Sequence, residues 1–436
     1  MRVDYRIDCK ALAPASSSLP ELIHQATILI RGNRIEWAGP YESAPSDVVA
    51  QHELSYPHFV AMPGLVNTHC HAAMVLLRGF GDDLALQEWL ETKVFPAEAN
   101  LTADDVYWGT LLASAEMIRS GCTAFADMYF FMDSAAQAVA DIGIRAALAR
   151  SVAGVTDPDG AKLKESLDFA KRWNGVADGR ITALLSPHSL YTCSPEYASS
   201  LIGMAKDNGL GIHTHLAETR REEEYAQRHY GMSTAAKMNE IGLFDCRSMA
   251  AHCVWLSEED MDILAAKGVS VAHNPGSNTK LASGIARVTR MREKGIVVGI
   301  GTDGASSNNN LDMMEEMRLA SLLAKVSTLE PTALSAAETL RMATADGARC
   351  IPGEADYGSI EAGRKADLVF MDTSASHMCP EHNLLSNIVY SAKASDVDTV
   401  FIDGRMVMGS GKILTIDEQE ARRQCGIRAA RLVEGL

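Results

Sequence analysis

Asn67-Thr68-His69-Cys70-His71 follows directly on the apolar run Phe59-Val60-Ala61-Met62-Pro63-Gly64-Leu65-Val66. Side chains alternate faces along a β-strand, so His69 and His71 point the same way from a strand end. Two imidazoles converging from one rigid strand are half of a divalent-metal site. Three later segments offer the other half: Gly211-Ile212-His213-Thr214-His215-Leu216-Ala217-Glu218, Met249-Ala250-Ala251-His252-Cys253-Val254 and Val297-Val298-Gly299-Ile300-Gly301-Thr302-Asp303-Gly304. Each is a short apolar run ending in a His or an Asp. One buried histidine needs no function to explain it, but a series at successive strand ends calls for one fold that accounts for all of them. The chemistry such a set supports is hydrolysis by a metal-activated water.

The elements that must position these groups alternate along the chain. Strands are expected at 59–66, 122–128, 145–152, 181–187, 211–216, 249–254, 269–273 and 296–302, with helical segments between them. The clearest helix lies within 102–120, where Thr102 can cap the start, Asp104 and Asp105 suit the first turn, and Gly121 ends it. Eight strands alternating with helices predict a closed (β/α)8 TIM barrel over residues 59–368. An open doubly wound sheet fits less well, because no Gly-rich phosphate loop follows the first strand. Read in order, the strand ends carry His69 and His71, Asp127, Arg150, His188, His215, His252, His273 and Asp303. That ring belongs at the carboxyl ends of barrel strands, where such barrels build their sites. Asp127 and His273 are its members best explained as structural.

The termini read as antiparallel β-structure. Residues 26–37 alternate around a hairpin turn at Gly32-Asn33, and residues 366–371 and 400–408 look similar. Residues 1–58 and 369–436 are therefore expected to form one small β-sandwich domain. Residues 418–436 read as a helix with a basic face.

Bulk properties exclude several classes. The chain has 436 residues, 47% of them hydrophobic, and a formal net charge of −16. That charge disfavours a nucleic-acid partner, which wants a basic surface, but not a free nucleoside without backbone phosphates. No apolar stretch approaches the about 20 residues that span a bilayer, and the charged start Met1-Arg2-Val3-Asp4 is unlike a signal peptide. A cytoplasmic protein with no membrane partner is expected. Nine scattered cysteines without a C-x-x-C pair argue against a disulfide framework or a cysteine zinc site, and Cys70 and Cys253 read as small core residues. The acidic surface and terminal helix permit a homo-oligomer without requiring one.

The chain resembles the amidohydrolase superfamily, in its branch of 5′-methylthioadenosine and S-adenosylhomocysteine deaminases. The resemblance runs nearly end to end. It is carried by Pro63-Gly64-Leu65-Val66-Asn67-Thr68-His69-Cys70-His71, Leu77-Arg78-Gly79, Glu88-Trp89-Leu90, Asp127-Met128-Tyr129-Phe130 and Pro187-His188-Ser189. Further along come His215-Leu216-Ala217-Glu218-Thr219, Ala251-His252-Cys253-Val254, His273-Asn274-Pro275, Gly301-Thr302-Asp303-Gly304 and the segment from Gly358 to Leu368.

That resemblance implies one divalent metal, zinc by preference, held by His69, His71, His215 and Asp303. The residues themselves agree, since three imidazoles and one carboxylate are a catalytic zinc set. Relatives with two metals use a bridging Lys or Glu near the fourth strand, and residues 181–188 contain neither. By the same resemblance Asp303 accepts the water proton, His252 orients the nucleophile and Glu218 protonates the purine ring, while Glu98, Arg150, His188, Glu218, Asp303 and an apolar wall at Trp89 bind the nucleoside. The implied activity is hydrolytic deamination of 5′-modified adenosines to the inosine product and ammonia. Where some homocysteine-accepting members carry a second Arg, this chain has Lys162, which lacks the planar fork; 5′-methylthioadenosine is therefore preferred over S-adenosylhomocysteine, with adenosine also open. The alternatives are a deaminase or chlorohydrolase of another aromatic heterocycle (guanine, pterin or triazine), or a non-catalytic assembly protein. The ribose-directed Glu98, Arg150 and His188 favour a nucleoside, and the full ligand set disfavours the assembly protein.

Overall fold

Among the described residues, sixteen strands make two sheets. The computed structural model describes residues 1–84, 86–353 and 355–436. The strands are β1 (Arg2–Leu12), β2 (Ile23–Arg31), β3 (Arg34–Pro40), β4 (Val49–Pro63), β5 (Leu65–Cys70), β6 (Cys122–Tyr129), β7 (Arg145–Val152) and β8 (Ile181–Pro187). They continue with β9 (Gly211–Leu216), β10 (Ser248–His252), β11 (Ser270–His273), β12 (Val298–Ile300), β13 (Leu368–Asp372), β14 (Val397–Ile402), β15 (Arg405–Gly409) and β16 (Lys412–Ile413). Strands β5 to β12 run parallel in chain order and close into a barrel, with β12 meeting β5 at Ile300 and Asn67. The (β/α)8 barrel read from the sequence is the fold. No helix among the described residues is long and apolar enough to cross a membrane.

Alternation along the strands divides the barrel's two cores. On β6, Ala124, Ala126 and Met128 join the interior cluster with Ala147, Ala149, Met249 and Ala251, while Phe125 packs outward with the helices. Small interior residues let the barrel close tightly. The crossover helix Ala103–Arg119 starts in a capping box: the Thr102 N–H donates to Asp105 Oδ2 at 2.7 Å, and the Asp105 N–H donates to Thr102 Oγ1 at 3.4 Å.

The apolar run at 59–66, expected as one barrel strand, is split between the two sheets. Residues up to Pro63 belong to β4, in the terminal sheet, and the barrel begins at Leu65. The break has a steric cause. A Cβ on Gly64 would lie 1.9 Å from Thr123 Oγ1, so only glycine passes where the chain leaves one sheet for the other.

The terminal strands form one sheet in the order β16-β15-β14-β13-β4-β1-β2-β3. It folds over on itself. The Tyr5 ring on β1 meets the Phe401 ring on β14 edge-on at 5.1 Å, and the Ala366 N–H donates to Asn33 O at 3.0 Å near the β2–β3 turn. Ile7, Ile28, Ile30, Phe370 and Phe401 fill the space between the halves. This is the sandwich expected of the two ends. The last helix, Glu418–Leu432, turns its basic face to the acidic start of helix Ala103–Arg119, with Arg428 on Asp104 and Arg431 on Asp105.

A buried ion cluster fastens barrel to sandwich. Arg145 on β7 donates through Nε to Asp367 Oδ2 at 3.0 Å and through Nη2 to Asp403 Oδ1 at 3.5 Å, and Lys365 Nζ lies 3.0 Å from Asp403. Replacing Arg145 by Met would leave Asp367 buried without its cation. The expected cost is about 3–5 kcal/mol, read as a lower unfolding midpoint in denaturant; an unchanged midpoint would show that the cluster contributes nothing net.

Candidate metal centre

The first barrel strand and the loop after it deliver His69 and His71; β9 delivers His215, β10 ends on His252, and Asp303 follows β12. His69 Nε2 and His71 Nε2 lie 3.4 and 3.3 Å from Asp303 Oδ1, and His71 Nε2 lies 3.4 Å from His215 Nε2. His252 and Asp303 have φ of 72° and 59°, in the left-handed region that non-glycine residues rarely adopt. Such strain persists where the surrounding structure holds it, and it clusters at functional sites.

Hydrogen bonds on the far side of each ring fix what its near side offers. His71 Nδ1 faces Met128 O at 2.7 Å and His215 Nδ1 faces His188 O at 2.9 Å. A carbonyl only accepts, so both Nδ1 atoms carry protons and both Nε2 atoms are bare lone pairs. Those lone pairs confront each other at 3.4 Å, beside the carboxylate oxygen of Asp303. His69 Nε2 is also buried and has no hydrogen-bond partner among the described residues. Several acceptors facing one another without a donor fit a bound cation. The donor set, three imidazoles and one carboxylate, suits zinc.

Electrostatics point the same way. Burial pushes His69 down to about 3, and lowers His71 and, much further, His215, so these imidazoles stay neutral as metal ligands must. Burial opposes ionisation of Asp303, yet its carboxyl lies well below the usual carboxylate range. Its Oδ2 accepts from Ser277 Oγ at 2.6 Å and Ser307 Oγ at 2.9 Å, and its Oδ1 from the Gly304 N–H at 2.8 Å. His252 Nδ1 lies 2.9 Å from Asn278 Oδ1, and its Nε2 is 3.9 Å from Glu218 Oε2. Burial works against a charge on His252, yet Glu218 and Asp303 raise it overall. Glu218 is raised by burial, so a proton resides on it more readily than on an ordinary Glu.

His71, His215, Glu218, His252 and Asp303 form one wall of a cleft of about 690 Å³, large enough for a nucleoside-sized ligand. Every residue read from the sequence as substrate-facing lines it: Trp89, Glu98, Arg150, His188, Glu218 and Asp303, together with Lys162. Glu98 accepts from Tyr129 Oη at 2.6 Å, and burial pushes it up to about 7. Arg150 also makes an ion pair, donating through Nε to Glu165 Oε1 at 3.0 Å, and donates through Nη1 to Ser151 O. His188 Nδ1 lies within reach of Ser189 Oγ and Thr192 Oγ1, at 3.1 and 3.2 Å. Asp127 and His273 are buried and do not line the cleft.

Some supporting residues carried no signal in the sequence. Ser277, Asn278 and Ser307 orient Asp303 and His252, but a serine or asparagine beyond a strand end looks like any other loop residue. Tyr129 could have been found, since it sits in the Asp127-Met128-Tyr129 run beside the third strand.

Buried carboxyls also make the fold sensitive to pH. Burial pushes Glu98 and Asp127 up to about 7, and Glu222 and Glu316 up to about 8. Near neutrality the unfolded chain has lost these protons and the folded chain has kept them. Stability therefore falls as pH rises through these values. Unfolded histidines are half-protonated at about 6.5, while the buried ones stay neutral in the fold, so they offset part of the fall up to about pH 7.5. The metal-free protein is expected to lose Tm steadily between about pH 6.5 and 8; a flat Tm there would contradict neutral Glu222 and Glu316.

Known proteins place this geometry in a lineage. The family model described as "Amidohydrolase family" matches residues 60–407. A 5-methylthioadenosine/S-adenosylhomocysteine deaminase of Desulforudis audaxviator is 50% identical over 409 residues, 94% of this chain and 95% of that protein. The crystal structure of an adenosine deaminase from Xanthomonas campestris with bound zinc superposes with a TM-score of 0.93, at 33% identity and 99% coverage of both chains. An atrazine chlorohydrolase from Arthrobacter aurescens complexed with zinc shares the fold at a TM-score of 0.89 and 23% identity, covering 98% of this chain and all of that one. The chain belongs to the amidohydrolase family, in its 5-methylthioadenosine/S-adenosylhomocysteine deaminase branch.

Proposed function

We propose that the protein hydrolytically deaminates 5′-modified adenosines, 5′-methylthioadenosine ahead of S-adenosylhomocysteine, with one divalent ion, zinc by preference, held by His69, His71, His215 and Asp303. The observation that carries this reading is the set of facing lone pairs on His71 and His215 beside the Asp303 carboxylate, at the wall of a nucleoside-sized cleft. A divalent ion in that set supplies water acidified towards neutrality as the nucleophile.

The chain's own groups do the rest. Asp303, anionic and held by two hydroxyls and a backbone N–H, takes the proton of the attacking water. His252, with Nδ1–H donated to Asn278, presents Nε2 towards the same space and steadies the nucleophile. Glu218, raised by burial, delivers a proton to the purine ring nitrogen as C6 is attacked, which turns an aromatic amidine into an electrophile. A proton returned to the exocyclic nitrogen then lets ammonia leave. Glu98 accepts from the ribose hydroxyls, and Arg150 and His188 present donors along the cleft. Trp89 gives an apolar wall for the 5′ substituent. Nine cysteines, all free, suit a reducing compartment such as the cytoplasm.

The substrate order rests on Lys162. It lines the cleft, but its Nζ is engaged by Thr156 Oγ1 at 2.9 Å and offers an amino-acid carboxylate only a point charge. Ultraviolet-monitored deamination should therefore give a higher kcat/KM for 5′-methylthioadenosine than for S-adenosylhomocysteine. The reverse order would overturn the preference. Turnover of guanine or a triazine, with none of any adenosine, would overturn the nucleoside reading itself.

A further inference from the structure

β9 carries a second His-x-His, and only one of its histidines has a place in the chemistry above. His213 is fully buried, and its Nε2 lies 3.0 Å from Nδ1 of His69, with the rings nearly perpendicular at 83°. The other site histidines hand their Nδ1 to an oxygen: His71 to Met128 O, His215 to His188 O, and His252 to Asn278 Oδ1. His69 hands its own to another imidazole.

That difference fixes the proton positions on both rings. For His69 to offer a lone pair from Nε2, its proton must sit on Nδ1, so His213 must accept at Nε2 and carry its own proton on Nδ1. His213 Nδ1 has no hydrogen-bond partner among the described residues. A buried N–H left without a partner is unfavourable, so a role in packing alone would be served better by an apolar residue. An imidazole nitrogen is a stronger base than a carbonyl oxygen, and an acceptor behind a metal-binding ring raises that ring's donor strength.

We infer that His213 is a positioning residue for the metal: it locks His69 in the Nδ1–H tautomer and strengthens His69 as a ligand. The inference rests on the reading of His69 as a metal ligand. His213 does not line the cleft, so it acts on the ion through His69 and not on the substrate.

The test compares zinc affinity of the wild type, His213→Leu and His213→Gln by competition with a chelating dye, with no substrate present. Leu removes the acceptor; Gln replaces it with an amide oxygen, the kind of group that serves the other rings. Zinc binding is expected to weaken about 10–100-fold in His213→Leu and to recover most of that loss in His213→Gln. Equal zinc affinity of His213→Leu and wild type would overturn the inference while leaving the metal site intact. A wild type that binds no zinc would instead overturn the metal-site reading, and the inference with it. Should His213→Leu fail to fold, long-range ¹H–¹⁵N spectra of histidine-labelled, zinc-loaded wild type decide the matter. An Nδ1–H tautomer at His213 supports the inference, and an Nε2–H tautomer overturns it.

Discussion

A Glu218→Gln protein is expected to keep its zinc and lose about 10²–10⁴-fold in kcat. Gln preserves the shape and the backbone contact to Glu222, whose Oε2 accepts from the residue 218 N–H at 2.8 Å. It has no acidic proton to give to the purine ring. Because burial raises Glu218, the acid form persists to higher pH than in an ordinary Glu. In the wild type, kcat should fall as pH rises through that raised value, when the proton needed for the ring is lost. The variant should lack that alkaline limb. A variant with kcat within threefold of the wild type would remove Glu218 from the chemistry.

The second large effect is expected at Asp303. Asp303→Asn should lower kcat/KM at least about 10³-fold, beyond recovery by excess zinc, because two functions are lost together. The carboxylate faces His69 and His71 through Oδ1 while its other oxygen accepts from Ser277 and Ser307. An amide has one acceptor oxygen for both sides. Either its NH2 faces the Gly304 N–H and the imidazole lone pairs, or the two hydroxyls lose their acceptor. It also cannot take up a proton from water. Zinc content by metal analysis separates loss of the ion from loss of the proton acceptor. Activity near the wild-type level with full zinc would contradict both roles.

Much of the site was legible because its chemistry is written in side chains at the ends of apolar runs. His69, His71, His215, His252 and Asp303 each lie at or just past the end of a strand, and a closed barrel turns strand ends into one ring. The strand boundary near Pro63 was not legible. Hydrophobicity runs unbroken from Phe59 to Val66, and only the approach of Thr123 to Gly64 divides it between two sheets. The supporting residues were hidden for another reason. Ser277, Asn278 and Ser307 matter through the atoms they face across the barrel mouth, and one-dimensional spacing holds no trace of such pairs. His213 was in plain view beside His215, but its contact with His69 joins residues 144 apart in sequence.

The central claim is that one ion in this centre drives deamination of a 5′-modified adenosine. Its most direct test is a zinc titration of metal-stripped protein, with conversion of 5′-methylthioadenosine followed by ultraviolet absorbance at each step. Activity absent in the stripped protein, rising linearly and levelling at one zinc per chain, is the predicted result. Full activity in the stripped protein, or no inosine product at saturating zinc, would contradict the account.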